Sequence, residues 1–140
     1  MYVRIADFDA DYAAIRAIRF TVFVDEQRVP PDEELDDRDR ECIHVLALDD
    51  RDAPIGTGRI DLAAGGKIGR VAVLANARRD GVGAALMERL HEIAREHRLR
   101  DVWCNAQVGA APFYERLGYR AAGEHFYEAG IEHVRMTRAL

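Results

Sequence analysis

The spacing of hydrophobic and polar residues divides the chain into strands and helices. Alternation over Tyr2–Ile5 predicts a first strand, and apolar residues at helical spacing after Asp9 predict a helix that Asp9 caps and that runs to about Gln27. Three strands joined by polar or glycine turns follow: His44–Leu48, Ile55–Leu62 and Lys67–Leu74. The first half is therefore predicted as a strand, a helix and a three-stranded meander.

The hydrophobic period changes at Gly81. Apolar residues from Val82 to Ile93 recur at steps of four, four and three, which predicts an amphipathic helix ending near Arg98. The remaining elements are predicted as a strand, a short helix closed by Gly118 and two strands: Asp101–Gln107, Ala110–Leu117, Tyr119–Phe126 and His133–Thr137. Neither a repeat nor a linker interrupts the pattern, so we expect one mixed α/β domain over residues 1–140.

The composition is that of a globular protein with an acidic surface. Of the 140 residues 49% are hydrophobic and 32% charged, and the formal net charge is −5. This charge disfavours nucleic acid and anionic membrane surfaces as partners, and it suits a cationic, amine-bearing substrate. No apolar run approaches the ~20 residues that span a bilayer. No signal-peptide pattern precedes the first strand, so we expect a cytoplasmic location.

No residue pattern predicts a metal site. The two cysteines, Cys42 and Cys104, are far apart and no CxxC occurs, which excludes a zinc ribbon. Residues 32–41 hold seven acids, but the sixth and twelfth places of a calcium loop there carry the wrong residues. We expect this stretch to be a solvated loop or short polar helix that could steer a cationic acceptor. His91 and His97 are predicted to lie on the surface of the long helix.

One segment is the strongest candidate for ligand binding. A buried strand, Gly69–Leu74, leads through a short basic loop into the long helix at Gly81 and Gly83. The first turn of a helix offers unpaired N–H groups and partial positive charge, and glycines allow close approach. Arg78 and Arg79 add donors suited to phosphate. The segment matches neither the P-loop nor the Rossmann fingerprint, because their further glycine and lysine positions differ.

Two motifs on these elements resemble the GCN5-related N-acetyltransferase (GNAT) superfamily. Arg78-x-x-Gly81-x-Gly83 after a strand resembles its R/Q-x-x-G-x-G/A motif. Asn105 and the following segment Ala111–Tyr119 resemble its N…A-x-x-F-Y-x-x-x-G-F/Y pattern, and Gly56–Arg59 resembles its third strand. The resemblance therefore extends over nearly the whole chain. The segment Arg19–Pro30 is similar to a narrower, ElaA-like subgroup.

The resemblance implies a mixed, mostly antiparallel sheet flanked by helices, with splayed central strands that admit the thioester of acetyl-coenzyme A. The strand before the loop would pair with the pantetheine arm, and the loop and helix start would hold the pyrophosphate. The residues so implied in binding acetyl-coenzyme A are Val71, Ala72, Val73, Arg78, Arg79, Asp80, Gly81, Val82, Gly83, Ala84, Asn105 and Tyr114. Dimers are common in the superfamily, so a homodimer stays open.

The implied activity is transfer of an acetyl group to a primary amine by direct attack in a ternary complex. Tyr114 would act as general acid to the leaving thiolate. The base is open among Glu26, Glu33, Glu34, His44 and His133. Glu26 is favoured, because its segment borders the acceptor pocket in the superfamily. Cys104 would permit an acyl-thiol route, but its place on an alternating strand predicts a core residue. The alternative function is a module that binds or senses acyl-coenzyme A without turnover.

Overall fold

The structure, a computed structural model, describes every residue of the chain, 1–140. The strands are β1 Tyr2–Ile5, β2 Ile43–Leu48, β3 Pro54–Asp61, β4 Lys67–Val73, β5 Asp101–Gln107, β6 Arg120–Ala121, β7 Phe126–Glu128 and β8 Ile131–Ala139. The helices are α1 Phe8–Arg19, α2 Pro31–Glu34, α3 Val82–Glu96 and α4 Ala111–Arg116. A π-helical segment, Phe20–Glu26, continues α1. No helix combines the length and the apolar character needed to cross a bilayer.

The eight strands form one sheet in the order β1-β2-β3-β4-β5-β8-β6, and β7 also pairs with β8. Neighbouring strands are antiparallel except β4 and β5, which run parallel. The chain passes from β4 to β5 through α3, as a parallel pair requires a long crossover. This mixed, mostly antiparallel sheet flanked by helices confirms the predicted fold class.

Helices pack on both faces of the sheet. α3 covers the rear face, where Leu86 and Leu90 are completely buried. α1 covers the front face, where Ile15 packs with Leu46 and Ala72. Because strand side chains alternate between faces, a strand such as β2 contributes Val45 and Ala47 to the rear core and Leu46 and Leu48 to the front core. The contacts of α1 are with the β1–β4 half of the sheet, so the front face of β5 and β8 is left for a site.

The first helix differs from its prediction at both ends. Asp7, and not Asp9, caps α1, and its carboxylate accepts a first-turn amide hydrogen at 3.3 Å. At its other end the helix widens into the π-helical segment, where the N–H of Gln27 donates to the carbonyl of Val22 at 3.2 Å. This bond spans five residues instead of four. The wider turns place Phe23 and Gln27 beside the sheet.

The acidic stretch includes the short polar helix α2 and exposes five of its seven acids, as predicted, but two of its carboxylates are buried. Glu34 and Asp39 are 5% and 6% exposed. Arg19 donates hydrogen bonds to both carboxylates, and Arg59 donates to Asp39 at 2.6 Å. Burial alone would raise the pKa of Asp39, but the hydrogen bonds from the two arginines outweigh it and hold the pKa below its usual value. These two carboxylates are thus neutralised by arginine within the fold.

His91 is also placed differently from its prediction, because its imidazole is 0% exposed. Arg138 donates to Nδ1 at 2.7 Å, so Nε2 carries the hydrogen and donates to the hydroxyl of Tyr119 at 2.6 Å. Burial, followed by the charge of Arg138, lowers the pKa of His91 to about 4. A neutral histidine therefore ties α3 to β8 and to the residue after Gly118. His97 is exposed, as predicted.

Candidate active site

The candidate site forms at the parallel junction of the sheet. β4 and β5 share a single opposed pair, Lys67 and Trp103, beside which the N–H of Trp103 donates to the carbonyl of Gly66 at 3.2 Å. Beyond this pair the two strands separate as they run toward Val73 and Gln107. The separation opens a cleft between unpaired strand edges, which is the splay that the resemblance implied.

A bulge in β4 begins the open edge. Arg59 lies opposite Gly69 and Thr57 opposite Ala72, so the single residue between them on β3 faces two residues of β4. One of these is Arg70, whose φ of 52° lies in the left-handed region that arginine seldom adopts. Such strain is tolerated where the surrounding structure holds it, and it is concentrated at functional sites.

The main chain of Val73 faces the cleft. The next residue, Leu74, donates its N–H to the carbonyl of Ile55 at 2.9 Å, so antiparallel alternation directs the groups of Val73 away from β3. The same alternation applies to Val71. Ala72 instead lies opposite Thr57 of β3, and its side chain is buried under α1. An extended, amide-bearing ligand can therefore add to this edge through Val71 and Val73, whereas Ala72 does not face the cleft.

The loop between β4 and α3 presents a row of backbone donors. No main-chain N–H from Arg79 to Ala84 donates to a carbonyl, and the first bond of α3 runs from Ala85 to Gly81 at 3.0 Å. Arg79 and Gly81 have φ of 70° and 78°, a conformation that turns successive N–H groups toward one point, as in anion-binding nests. Together with the helix N-terminus, these donors fit a diphosphate.

The two glycines of the loop serve different purposes. A Cβ at Gly81 would meet nothing within 4 Å, so its positive φ is the reason for glycine there. A Cβ at Gly83 would lie 3.3 Å from ring atoms of Phe113. Gly83 therefore permits the close packing of α3 against α4, and Val82 is buried beside it.

The side chain of Arg78 lies across the mouth of the cleft. Its Nε donates to the carbonyl of Val73 at 2.9 Å, and its Nη2 donates to the carboxylate of Glu26 at 2.6 Å. This pair joins the end of the π-helical segment to the loop between β4 and α3. Glu26 does not line the cavity described next. Arg79 and Asp80 have exposed side chains. If these two residues bind a ligand as predicted, we expect them to do so through their main-chain N–H groups.

A cavity of about 570 Å³ continues from the cleft onto the front face. Its walls are formed by the π-helical segment, the acidic stretch, β3, β4, β5, α4 and the β7–β8 hairpin. The residues singled out from the sequence that line it are Glu33, Glu34, Val71, Cys104, Asn105, Tyr114 and His133. The amide nitrogen of Asn105 is 3.5 Å from the carboxylate of Glu128. The cavity is thus large enough for a small acceptor beside a thioester.

Tyr114 enters the cavity from the rear. Its ring meets those of Phe113 and Tyr119 edge-on, with centroids 5.1 and 5.6 Å apart. Its hydroxyl makes no hydrogen bond to another protein group, and the residue lines the cavity. Burial raises the pKa of Tyr114 well above its ordinary value, and the nearby thiol of Cys104 is the second, smaller cause. The phenol therefore keeps its proton at neutral pH.

Cys104 is a core residue, as its alternating strand predicted. It is 2% exposed, and burial raises the pKa of its thiol to about 12. A thiol is nucleophilic as its thiolate, which requires a lowered pKa or an adjacent base. Cys42 is likewise buried and its pKa is raised to about 11. The acyl-thiol route thus has no support in the geometry.

The structure places the candidate bases in different surroundings, and only some of them line the cavity. His44 lies behind the acidic stretch, where its Nε2 is 2.8 Å from the carbonyl of Asp39, and Glu34 is held by arginine. His133 and Glu33 line the cavity. The Nδ1 of His133 donates to the carbonyl of Ile131 at 2.7 Å, which leaves the Nε2 lone pair free.

Sequence reasoning missed three residues of the cavity. Arg70 donates to the carbonyl of Glu34 at 3.0 Å, and Gln107 donates to Gln27 at 2.7 Å, which joins β5 to the π-helical segment. Glu128, on β7, lies near His133, with 3.9 Å between carboxylate and Nε2. Strand alternation was an available signal for Gln107, because its neighbour Ala106 faces the rear core, whereas the bulge interrupts the alternation at Arg70.

Comparison with known proteins gives the family. Residues 10–140 match the acetyltransferase (GNAT) domain, and the chain belongs to the GNAT acetyltransferase family. The uncharacterized N-acetyltransferase YjcF of Bacillus subtilis is 39% identical over 123 residues, which cover 86% of this chain and 87% of that protein. Escherichia coli ElaA is 27% identical, with a TM-score of 0.87 and 99% of both chains covered.

A further solved structure, an acyl-CoA N-acyltransferase from Pseudomonas aeruginosa, is 29% identical, with a TM-score of 0.86 and 99% and 100% of the two chains covered. The predicted superfamily and the likeness to ElaA are confirmed. Family membership supports acyltransferase activity with acyl-coenzyme A as the acyl donor.

Proposed function

We propose that the protein transfers the acetyl group of acetyl-coenzyme A to a primary amine by direct attack in a ternary complex. The supporting observation is that Tyr114 and His133 line one cavity from opposite faces of the sheet. Tyr114 packs against the rear core, whereas His133 precedes Val134, a rear-core residue, and therefore points to the front. An acid on one side of the separated strands and a base on the other suit acetyl transfer, in which a carbon–sulfur bond breaks and a carbon–nitrogen bond forms between them.

The donor is held by main chain. The N–H groups of Arg79, Asp80, Gly81, Val82, Gly83 and Ala84 would bind the pyrophosphate, and Val71 and Val73 would pair with the pantetheine amides. Arg78 would leave the carbonyl of Val73 as the pantetheine pairs there, and Asn105 would contact donor or acceptor from β5. An N–H of Val73 facing the cleft would stabilise the charge that develops on the acetyl oxygen.

In the transfer, the amine nitrogen bonds to the acetyl carbon as the carbon–sulfur bond breaks. Tyr114 gives its proton to the departing sulfur, and the phenol is suited to this because burial keeps it protonated. His133 Nε2 takes the proton that the amine loses. We prefer His133 to Glu26, because Glu26 is paired with Arg78 and does not line the cavity.

Steady-state release of free coenzyme A with a panel of primary amines tests the proposal, and mass spectrometry of the amine product identifies the transferred group. Binding of the donor is measured separately by thermal denaturation, since a ligand at about 100 times its Kd adds about 2.7 kcal/mol to the free energy of unfolding. Stabilisation by coenzyme A without turnover of any amine would favour the binding or sensing module over the enzyme.

A further inference from the structure

The hairpin of β7 and β8 brings a carboxylate to the imidazole of His133. Phe126 lies opposite His133, and Glu128 lies opposite Ile131. Residues that oppose each other, and residues two apart on one strand, point to the same face, so Glu128 lies diagonal to His133 on one face of the hairpin. The two turn residues have φ of 51° and 75°, which is typical of a tight two-residue hairpin. Such a turn fixes the register, and with it the place of Glu128 beside His133.

The imidazole of His133 is held so that Nε2 is available. Its Nδ1 donates to the carbonyl of Ile131 at 2.7 Å, and the ring of Phe126 stacks on it with centroids 5.9 Å apart. A neutral imidazole whose Nδ1 donates has an acceptor at Nε2. The carboxylate of Glu128 is 3.9 Å from this nitrogen, which is too far for a direct hydrogen bond. Nε2 and the carboxylate are therefore two neighbouring acceptors, and neither donates to the other.

Glu128 is the carboxylate of the cavity that is both free of arginine and close to His133. Four acidic residues line the cavity: Glu33, Glu34, Asp36 and Glu128. Arginine side chains neutralise Glu34 and Asp36. Glu33 is unpaired too, but it lies on α2 and not beside His133. The carboxylate of Glu128 meets no lysine or arginine, and the amide of Asn105 reaches it only at 3.5 Å. It therefore keeps most of its hydrogen-bonding capacity for a ligand.

A protonated primary amine fits this pair of acceptors, because it carries three N–H donors on one atom. A nitrogen about 2.9 Å from each acceptor would see them about 85° apart, whereas two of its N–H bonds diverge by about 109°. Each hydrogen bond would then bend to about 160°, within the preferred range above about 150°. One ammonium group can therefore donate to Glu128 and His133 together.

We propose that Glu128 and His133 bind the acceptor as its ammonium ion, and that Glu128 makes the site selective for strongly basic alkylamines. This assignment rests on the proposed transfer activity and specifies the form in which its acceptor binds. The ammonium gives one proton to Nε2 of His133, and the electron pair of that N–H bond stays on the nitrogen as its lone pair. Rotation about the carbon–nitrogen bond turns the lone pair to the acetyl carbon, while a remaining N–H donates to Glu128.

Two matched series of acceptors test the assignment: alkylamines, and O-alkylhydroxylamines in which oxygen replaces the carbon next to the nitrogen. Near neutral pH the alkylamines are cationic, whereas the electron-withdrawing oxygen leaves the hydroxylamines neutral. At the best length, Glu128→Gln should raise KM for the alkylamine about tenfold or more, the effect of one charged hydrogen bond, and leave kcat within about threefold. Its kcat/KM for the hydroxylamine should stay within about threefold.

Two further variants serve as controls. Glu132 lies opposite Tyr127, so its half-exposed carboxylate is on the other face of the hairpin. Glu132→Gln removes the same charge nearby and should change KM for the alkylamine by less than about twofold. Glu128→Asp keeps a carboxylate and should recover part of the lost affinity. An equal loss for alkylamine and hydroxylamine in Glu128→Gln, or the same loss in Glu132→Gln, would overturn the assignment.

Binding without turnover separates this assignment from the proposed transfer activity. With free coenzyme A, which has no acetyl group to give, calorimetry should show the alkylamine binding about tenfold more tightly than the hydroxylamine of the same length. Glu128→Gln should remove this difference. If this holds while no amine is acetylated from acetyl-coenzyme A, the ammonium site stands and the transfer activity fails. If no alkylamine binds more tightly than its hydroxylamine counterpart, the ammonium site is refuted, whether or not the native protein acetylates amines.

Discussion

Removing the hydroxyl of Tyr114 should separate catalysis from folding. In Tyr114→Phe the ring keeps its edge contacts with Phe113 and Tyr119, and no protein hydrogen bond is lost. We therefore expect the free energy of unfolding to change by less than about 0.5 kcal/mol. Loss of a general acid lowers a rate by roughly 10²- to 10⁴-fold, so kcat should fall at least about 100-fold. KM for acetyl-coenzyme A should stay within about threefold, because in the proposed complex the donor is bound mainly by backbone groups.

The two quantities come from separate assays. Free thiol release at saturating acetyl-coenzyme A and amine gives kcat, and urea unfolding followed by the fluorescence of the single tryptophan, Trp103, gives stability. Because burial raises the pKa of Tyr114, this group should cause no loss of kcat in the native protein between about pH 7 and about pH 9.

Tyr119→Phe is the matched control and should show the reverse profile. It leaves the buried Nε2–H of His91 without an acceptor, which costs about 1–3 kcal/mol of stability. Its kcat should stay within about fivefold of the native value. The general-acid argument is refuted if Tyr114→Phe keeps more than about a third of kcat, or if both variants lose activity in proportion to their stability.

Three further outcomes test other parts of the structure. Ala84→Pro removes one backbone donor from the first turn of α3, where proline is tolerated, so the Kd for coenzyme A should rise about tenfold while Ala84→Ser binds normally; unchanged affinity in the proline variant would place the diphosphate elsewhere. The pKa of His91 is about 4 in the folded protein and near 6.5 when unfolded, so the unfolded state takes up protons first as the pH falls. Urea unfolding should then show a stability loss of about 2 kcal/mol from this group between pH 7 and pH 5, and a flat profile would contradict its burial. Asp39→Ala leaves Arg19 and Arg59 buried with one partner fewer and should cost about 3–5 kcal/mol in the same assay, whereas a loss below about 1 kcal/mol would show that the pairs are solvated.

The regular elements could be predicted because each has a local hydrophobic period. The three-to-four-residue spacing from Val82 to Ile93 predicts α3, which the structure places at Val82–Glu96. Alternation likewise predicts β5 over Asp101–Gln107 to the residue. The predicted final pair of strands is less regular, because β6 and β7 are short and separate strands that both pair with β8.

What the sequence could not predict depends on contacts between distant residues. The spacing of Phe20–Glu26 is compatible with an α-helix, and its π-helical form carries no local signal. Arg19 and Arg59 look like surface residues until folding brings them to Asp39, which is also why the burial of this carboxylate was not predicted. His91 was misplaced for the same reason, since its partner Arg138 is 47 residues away.

The parting of β4 and β5 also bears on solubility. Exposed strand edges at the periphery of a sheet are templates on which other chains can pair, and proteins protect them with charges, prolines or bulges. Here the open edges lie in the interior, with α4 behind them and the π-helical segment in front. A second folded chain is too thick to enter, whereas a thin, flexible molecule can. The protein can thus keep backbone groups ready for a ligand without offering them for aggregation.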